Sequence, residues 1–317
     1  MWQEKQAKLL RQEIAALLAP LTVSGSFCDA IQDSLKYIQQ EASLGGKAER
    51  PWTLLPAIVC ESICGQGERA IPASASIALL RAALEVFDDI EDADNPVSIS
   101  AKYGGAVASN IATALLFLAE TALARLKLIG VPDNDVVRVM EKVNSYHLTA
   151  CAGQHWDIAF SNDTAISEEL YLRMIEMKAA FQLECSCHIG ALLGNGSREL
   201  VELFSKFGRC LGMAAQIAND VQGTVSGKDV ARRKITLPVI FAFGQANIET
   251  RRQLKRIYRG SKEVTTSSDK VKCILFETGA MQYAAIKMET YRQEAREMLW
   301  RAEAKGVSME RLKPFLD

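Results

Sequence analysis

The residues 84–94, Leu-Glu-Val-Phe-Asp-Asp-Ile-Glu-Asp-Ala-Asp, constrain this chain most. They close a long helical run, 74–87, rich in Ala, Leu and Ile. Asp88 and Asp92 are spaced i,i+4, and Asp89 and Asp92 i,i+3. On a helix those spacings set three carboxylates on adjoining turns of one face. Like charges so placed repel, so something must offset them. A solvated helix end does so. A hard divalent cation does so too, since Mg²⁺ is usually held by one or two carboxylates plus substrate phosphates. The residues leave both readings open, and Pro96 ends the helix in either.

The rest of the chain predicts helix nearly throughout. Gly (20) and Pro (8) are sparse among 317 residues, and no alternating run bounded by turn signals marks a strand. We expect helices at 2–18, 26–42, 53–64, from Ile71 into the acidic stretch, and at 103–129 and 133–158. Others run from a Ser167 cap through Lys178 to 193, from a Ser197 cap to 221, onward from Pro238, and over 271–277 and 281–305. Loops are expected at 44–51, 93–102, 223–233 and 260–270. The fold class is all-α, in a single domain 1–317. A 49% hydrophobic composition suffices for a sizeable core.

Thirty-seven Lys+Arg against 38 Asp+Glu give a net charge of −1, which offers no support for nucleic acid or an anionic membrane as partner. The longest apolar text, 111–128, carries Thr113, Glu120, Thr121, Arg125 and Lys127, and is expected to be a buried helix rather than a membrane span. The eight cysteines are scattered without a Cys-x-x-Cys pair, several of them in apolar helical text as buried free thiols are, which argues against a zinc site. The N-terminus is charged and amphipathic, with no signal peptide expected. A reduced, cytoplasmic location is expected.

A second constellation, Gln216-Ile-Ala-Asn219-Asp220, lies at another helix end. A basic and hydroxyl-bearing segment follows it: Lys228, Asp229, Arg232, Arg233, Lys234 and Thr236. Two oxygen-rich helix ends with several cations are what a bound diphosphate needs, metals bridging its oxygens to carboxylates and Lys/Arg neutralising the rest. An ordinary charged surface loop would read the same way.

In the order of the chain, these segments resemble the trans-isoprenyl diphosphate synthase (polyprenyl synthetase) family. Gly45-Gly46-Lys47-Ala-Glu-Arg50-Pro51 is similar to its glycine-glycine-lysine loop, and Asp88-Asp89-Ile-Glu-Asp92 to its first aspartate-rich motif. Gly153-Gln154-His-Trp-Asp157 and Lys178 are similar to its middle-helix motif and following lysine. Gln216 through Asp220 is similar to its second acidic motif, and Asp229 through Lys234-Ile-Thr236-Leu-Pro238 to its closing segment. Each match alone is weak; six in one order carry the resemblance.

It implies an isoprenoid synthase helical bundle around a central apolar cavity, bound Mg²⁺ (three ions) and a homodimer. By resemblance, Asp88, Asp89 and Asp92 hold two Mg²⁺ against an allylic prenyl diphosphate, and Asp220 with Asn219 holds the third. Lys178 and Lys234 contact the same diphosphate. Lys47 and Arg50 grip isopentenyl diphosphate, with Arg81 adding to that second anion site. Gln154, Asp157, Gln216 and Arg233 belong to the substrate site. Ala83, Leu84 and Phe87 lie where the family sets its pocket floor, and a small residue at 83 leaves room for a C15–C20 chain. Phe87, Phe117, Trp156 and Phe181 are aromatic candidates for its wall, with core packing the competing role.

The chain departs from the family at decisive places. Ala48 replaces an arginine, Arg81 a histidine, and no arginine pair follows the first motif. Asn219 and Gly223 replace two aspartates, and Asp229 is a candidate to compensate. Chain elongation with isopentenyl diphosphate is the leading expectation. Terpene cyclisation, prenyl transfer to a peptide and a silent regulatory subunit are the alternatives.

Overall fold

In the computed structural model, described for residues 2–21, 25–36, 51–92, 96–160, 164–259 and 267–316, the described residues form helices and turns and contain no strand. The all-α expectation holds. The helices gather into two compact units. The first is Met1–Asn144 with Cys185–Ser205 and Leu299–Asp317; the second is Ser145–Glu184 with Lys206–Met298.

Short side chains set the packing of the first unit. It contains α1 (Trp2–Leu18), α2 (Gly25–Ser34), α3 (Leu55–Cys64), α4 (Ile71–Asp92), α5 (Ile99–Tyr103) and α6 (Gly105–Ala124). Ala73, Ser74, Ala75, Ser76, Ala78, Ala82 and Ala83 of α4 are all buried. Such small residues let α6 lie close along α4, with Ala108, Ile111, Ala112, Leu115 and Ala119 turned inward. Burial along α4 ends at Val86, so its acidic end emerges from the core. Apolar packing thus fixes a helix whose last turn presents carboxylates.

Two expectations change here. The 93–102 loop contains a helical turn, α5, because Ser98 Oγ accepts from Ala101 N at 3.0 Å and caps it. Asp33 ties α2 to that turn through Lys102 and Tyr103. Hydrogen bonds from Lys102, then Lys36 and Tyr103, hold the Asp33 carboxyl well below the usual carboxylate range. Phe117 is neither core nor pocket wall, since it is 70% exposed on α6. By length and composition, two stretches are apolar enough to cross a membrane, Gly67–Asp92 and Gly105–Ile129, and core helices of this kind pass the same test.

The second unit holds the end of α7 (Asp133–Ala159), then α8 (Glu168–Ile175), a π turn (Glu176–Ala180) and the start of α9 (Phe181–Leu193). It continues with most of α10 (Arg198–Ser226), α11 (Lys228–Ala231), α12 (Leu237–Gln245), α13 (Ile248–Arg259), α14 (Ser267–Glu277) and most of α15 (Ala280–Glu303). Ser167 caps α8, its Oγ accepting from Leu170 N at 3.1 Å, and Pro238 sits in the first turn of α12. Tyr171, Met174, Met213, Ile217, Leu237 and Leu254 share one apolar core. α10 runs past Val221, so Gly223 lies inside a helix and not in the expected loop. Beyond Ser226 the chain turns at Gly227 into the short α11.

Leu115 is fully buried and Leu128 is 73% exposed. Leu115→Ala should therefore cost ~2–5 kcal/mol in urea unfolding, and Leu128→Ala less than about 0.5 kcal/mol. Equal costs would contradict this packing.

Candidate active site

In the second unit the site is built around a close approach. A β-carbon at Gly153 would lie 2.5 Å from Lys178 N and 2.7 Å from the Met177 carbonyl carbon. Only glycine lets α7 press onto the π turn at this point. One turn farther along α7, Asp157 accepts a hydrogen bond from Lys178 Nζ and forms its ion pair. The π turn widens the helix locally, a device frequent at functional sites. Arg209 of α10 anchors its start, with Nη1 3.3 Å from Glu176 Oε1. Gly153, Asp157 and Lys178 are thus one structural unit, although they stand 25 residues apart at most (178 − 153).

Asp220 lies on α10 and is only 2% exposed. Tyr171 donates its hydroxyl to one carboxylate oxygen, and Gln216 Nε2 donates to the other at 2.9 Å. Burial pushes the Asp220 carboxyl up to about 8; Lys234 opposes the rise, and Asp229 and Asp157 add to it. Burial likewise raises Asp229, against Lys234, Arg232 and Lys228. Neighbouring charges therefore connect Asp157, Asp220, Asp229 and Lys234 within this unit.

The other expected residues are placed as follows. Gln154 is half-buried on α7, beside the Gly153 contact. Asn219 is exposed, while its neighbour Asp220 is buried, because successive helix residues diverge by about 100°. Arg233 follows α11 with φ of 56°, in the left-handed region, and is half-buried like Lys234. Trp156 packs beside the unit's apolar core and Phe181 is buried in edge contact with His147.

In the first unit, Asp88 and Asp89 are half-buried at the end of α4 and Asp92 is exposed. Ala83 is fully buried, Leu84 and Phe87 are half-buried, and Phe87 packs beside Val86, Ala108 and Ala112. Arg81 is engaged by Glu85, Nε to Oε1 at 3.1 Å. Lys47, Ala48 and Arg50 lie outside the described residues.

Tyr171 was not expected at the site. Buried tyrosine hydroxyls usually find a partner, but nothing in the sequence points across 49 residues to Asp220.

The donors at both acidic ends are oxygens, which suit a hard divalent ion. Among the described residues no group of three or more His, Cys, Asp or Glu forms a ready-made cage. Mg²⁺ fits that arrangement, since it characteristically completes its octahedron with water and substrate phosphate.

The raised Asp220 carboxyl has a measurable consequence. The stability that protonated Asp220 gives the metal-free protein is full below about pH 4, the range of a free aspartate. It is lost as pH rises through about 8. Thermal unfolding in a chelator across this window should show that decline, and Asp220→Asn should remove its share. An unchanged slope in the variant would contradict the assignment.

Comparison with known proteins finds relatives over most of the chain. The chain is 28% identical over 272 residues to a geranylgeranyl diphosphate synthase of Methanosarcina mazei, covering 80% of this chain and 79% of that one. It is 31% identical over 224 residues to tryptophan prenyltransferase ComQ of Bacillus subtilis subsp. natto, covering 69% and 66%. The geranylgeranyl pyrophosphate synthetase of Pyrococcus horikoshii superposes with a TM-score of 0.81 at 25% identity, over 94% of this chain and 90% of that one. A family model described as polyprenyl synthetase matches residues 29–276, and the chain belongs to that family.

Proposed function

We propose that this protein is a Mg²⁺-dependent prenyltransferase that joins isopentenyl diphosphate to an allylic prenyl diphosphate in the C15–C20 range. The observation that carries the reading is the Asp157–Lys178 pair seated by Gly153, with buried Asp220 and Lys234 in the same unit. It joins cations for an anionic leaving group to oxygens for its counter-ions. The Methanosarcina mazei relative named geranylgeranyl diphosphate synthase extends over 80% of the chain and ComQ over 69%, which favours elongation over peptide transfer.

Breaking the allylic carbon–oxygen bond leaves a diphosphate anion and a carbocation. Bound Mg²⁺ supplies charge neutralisation to the departing diphosphate. Asp88, Asp89 and Asp92 serve as ligands for two ions, and Asp220 for a third. Lys178 and Lys234 donate to diphosphate oxygens, and their stabilisation is greatest when charge has separated. Asp157 orients the Lys178 ammonium, while Gln154 and Gln216 fix neighbouring polar groups. Lys47 and Arg50, with Arg81, serve the isopentenyl diphosphate. Apolar walls around Ala83, Leu84 and Phe87 keep water from the cation. The protein acts as an isoprenoid synthase domain, in the cytoplasm.

The protein works as a homodimer. Val107, Ala114, Phe117, Thr121 and Ala124 fall on one face of α6, and Val107 and Phe117 are 44% and 70% exposed. An apolar stripe of this kind is what a subunit contact buries.

Incubation with farnesyl diphosphate and Mg²⁺ should give a longer prenyl diphosphate only when isopentenyl diphosphate is present. Asp89→Ala should lower that rate by about 10³-fold or more, on the scale of losing a principal electrostatic group. Hydrocarbon release without isopentenyl diphosphate would contradict elongation. Phe117→Asp should convert the dimer to monomer in light scattering; an unchanged mass would remove the α6 interface.

A further inference from the structure

The second acidic motif lacks a carboxylate at 223, and the neighbouring structure shows where another one enters. We propose that Asp229 is an oxygen ligand of the divalent ion at Asp220, reaching the site through the room that Gly223 leaves. This deepens the elongation reading and rests on it.

Gly223 lies inside α10, three residues after the buried Asp220. A β-carbon built at 223 would meet the Asp229 carboxylate before any other group, with Cγ 2.5 Å and Oδ1 2.8 Å away. The volume in which a 223 side chain would begin is therefore occupied by the carboxylate of residue 229. The chain geometry brings it there. Gly227 has φ of 82° and ends α10 in a left-handed turn. The short α11 then folds back with Asp229 in its first turn. The acid six residues along the chain thus lies where a 223 side chain would begin (229 − 223).

The Asp229 carboxylate is also poised as a ligand would be. It is 9% exposed and has no hydrogen bond or ion pair to any described residue. The nearby Tyr258 hydroxyl is buried and likewise unpartnered. A carboxylate so far removed from water is costly unless a cation offsets it. Lys228 and Arg232 of the same segment are exposed, and Lys234 is shared electrostatically with Asp220. A divalent ion bound at Asp220 supplies what the carboxylate lacks. Asn219, exposed on another side of α10, is then not needed as the second oxygen.

The test is Mn²⁺ titration followed by electron paramagnetic resonance, with and without a non-hydrolysable farnesyl thiolodiphosphate. Wild-type protein should take up diphosphate-dependent Mn²⁺. Asp229→Asn keeps the shape and removes the charge; it should weaken one of those ions ~10–100-fold and leave the remainder unchanged. Gly223→Ala should do the same with the acid still present, because the new methyl displaces it. Wild-type affinity in either variant would overturn the proposal while leaving the elongation reading intact. If wild-type protein takes up no diphosphate-dependent Mn²⁺, the functional reading falls and this proposal falls with it.

Discussion

A carboxylate held away from water must be hydrogen-bonded and have its charge offset, or it takes up a proton. That constraint governs the second unit. Tyr171 and Gln216 satisfy both oxygens of Asp220, but both donors are neutral. They direct the lone pairs without cancelling the charge. Lys234 opposes the effect of burial and does not overcome it, so the carboxyl stays raised to about 8. The buried carboxyl is thus left without a full counter-charge from its side-chain neighbours. On the proposed reading, a divalent ion bound at Asp220 would displace its proton near neutral pH and so couple metal affinity to pH.

Backbone proximity, rather than long side chains, places the charged groups of the candidate site. At Gly153 the absence of a side chain brings α7 onto the π turn, and this sets the distance between Asp157 and Lys178. At Gly223 the same absence admits the carboxylate of Asp229. In the first unit, buried alanines and serines along α4 do comparable work against α6, and the acidic end emerges where they stop. Each case trades side-chain volume for a fixed geometry. Rigid placement of this kind lets electrostatic groups act without reorganising when charge develops.

Much of this was legible in the sequence. Helix starts are written in local chemistry, so Ser167, Ser197 and Pro238 marked them correctly. The acidic ends, the Gly153-Gln154 pair, Lys178 and Lys234 stood out because chemistry-bearing residues recur there at fixed spacing. What stayed hidden depends on contacts between distant segments. Tyr171 pairs with Asp220 only because α8 packs beside α10 in the apolar core that Tyr171 and Ile217 share. The π turn at Glu176–Ala180 has no sequence signature. Glycine and polar text at 223–226 read as loop, yet helical hydrogen bonding and the approach of α11 carry α10 through it. Phe117 looks like core by composition, and only the fold turns it outward.

The central claim is that buried Asp220 becomes a ligand of a divalent ion that also holds the substrate's diphosphate. A crystal structure with Mg²⁺ and a non-hydrolysable prenyl diphosphate tests it most directly. The account predicts an ion about 2.1 Å from an Asp220 oxygen, bonded on its other side to diphosphate, with Lys178 and Lys234 on the same anion. Diphosphate bound with its ions elsewhere, and Asp220 still held only by Tyr171 and Gln216, would contradict it.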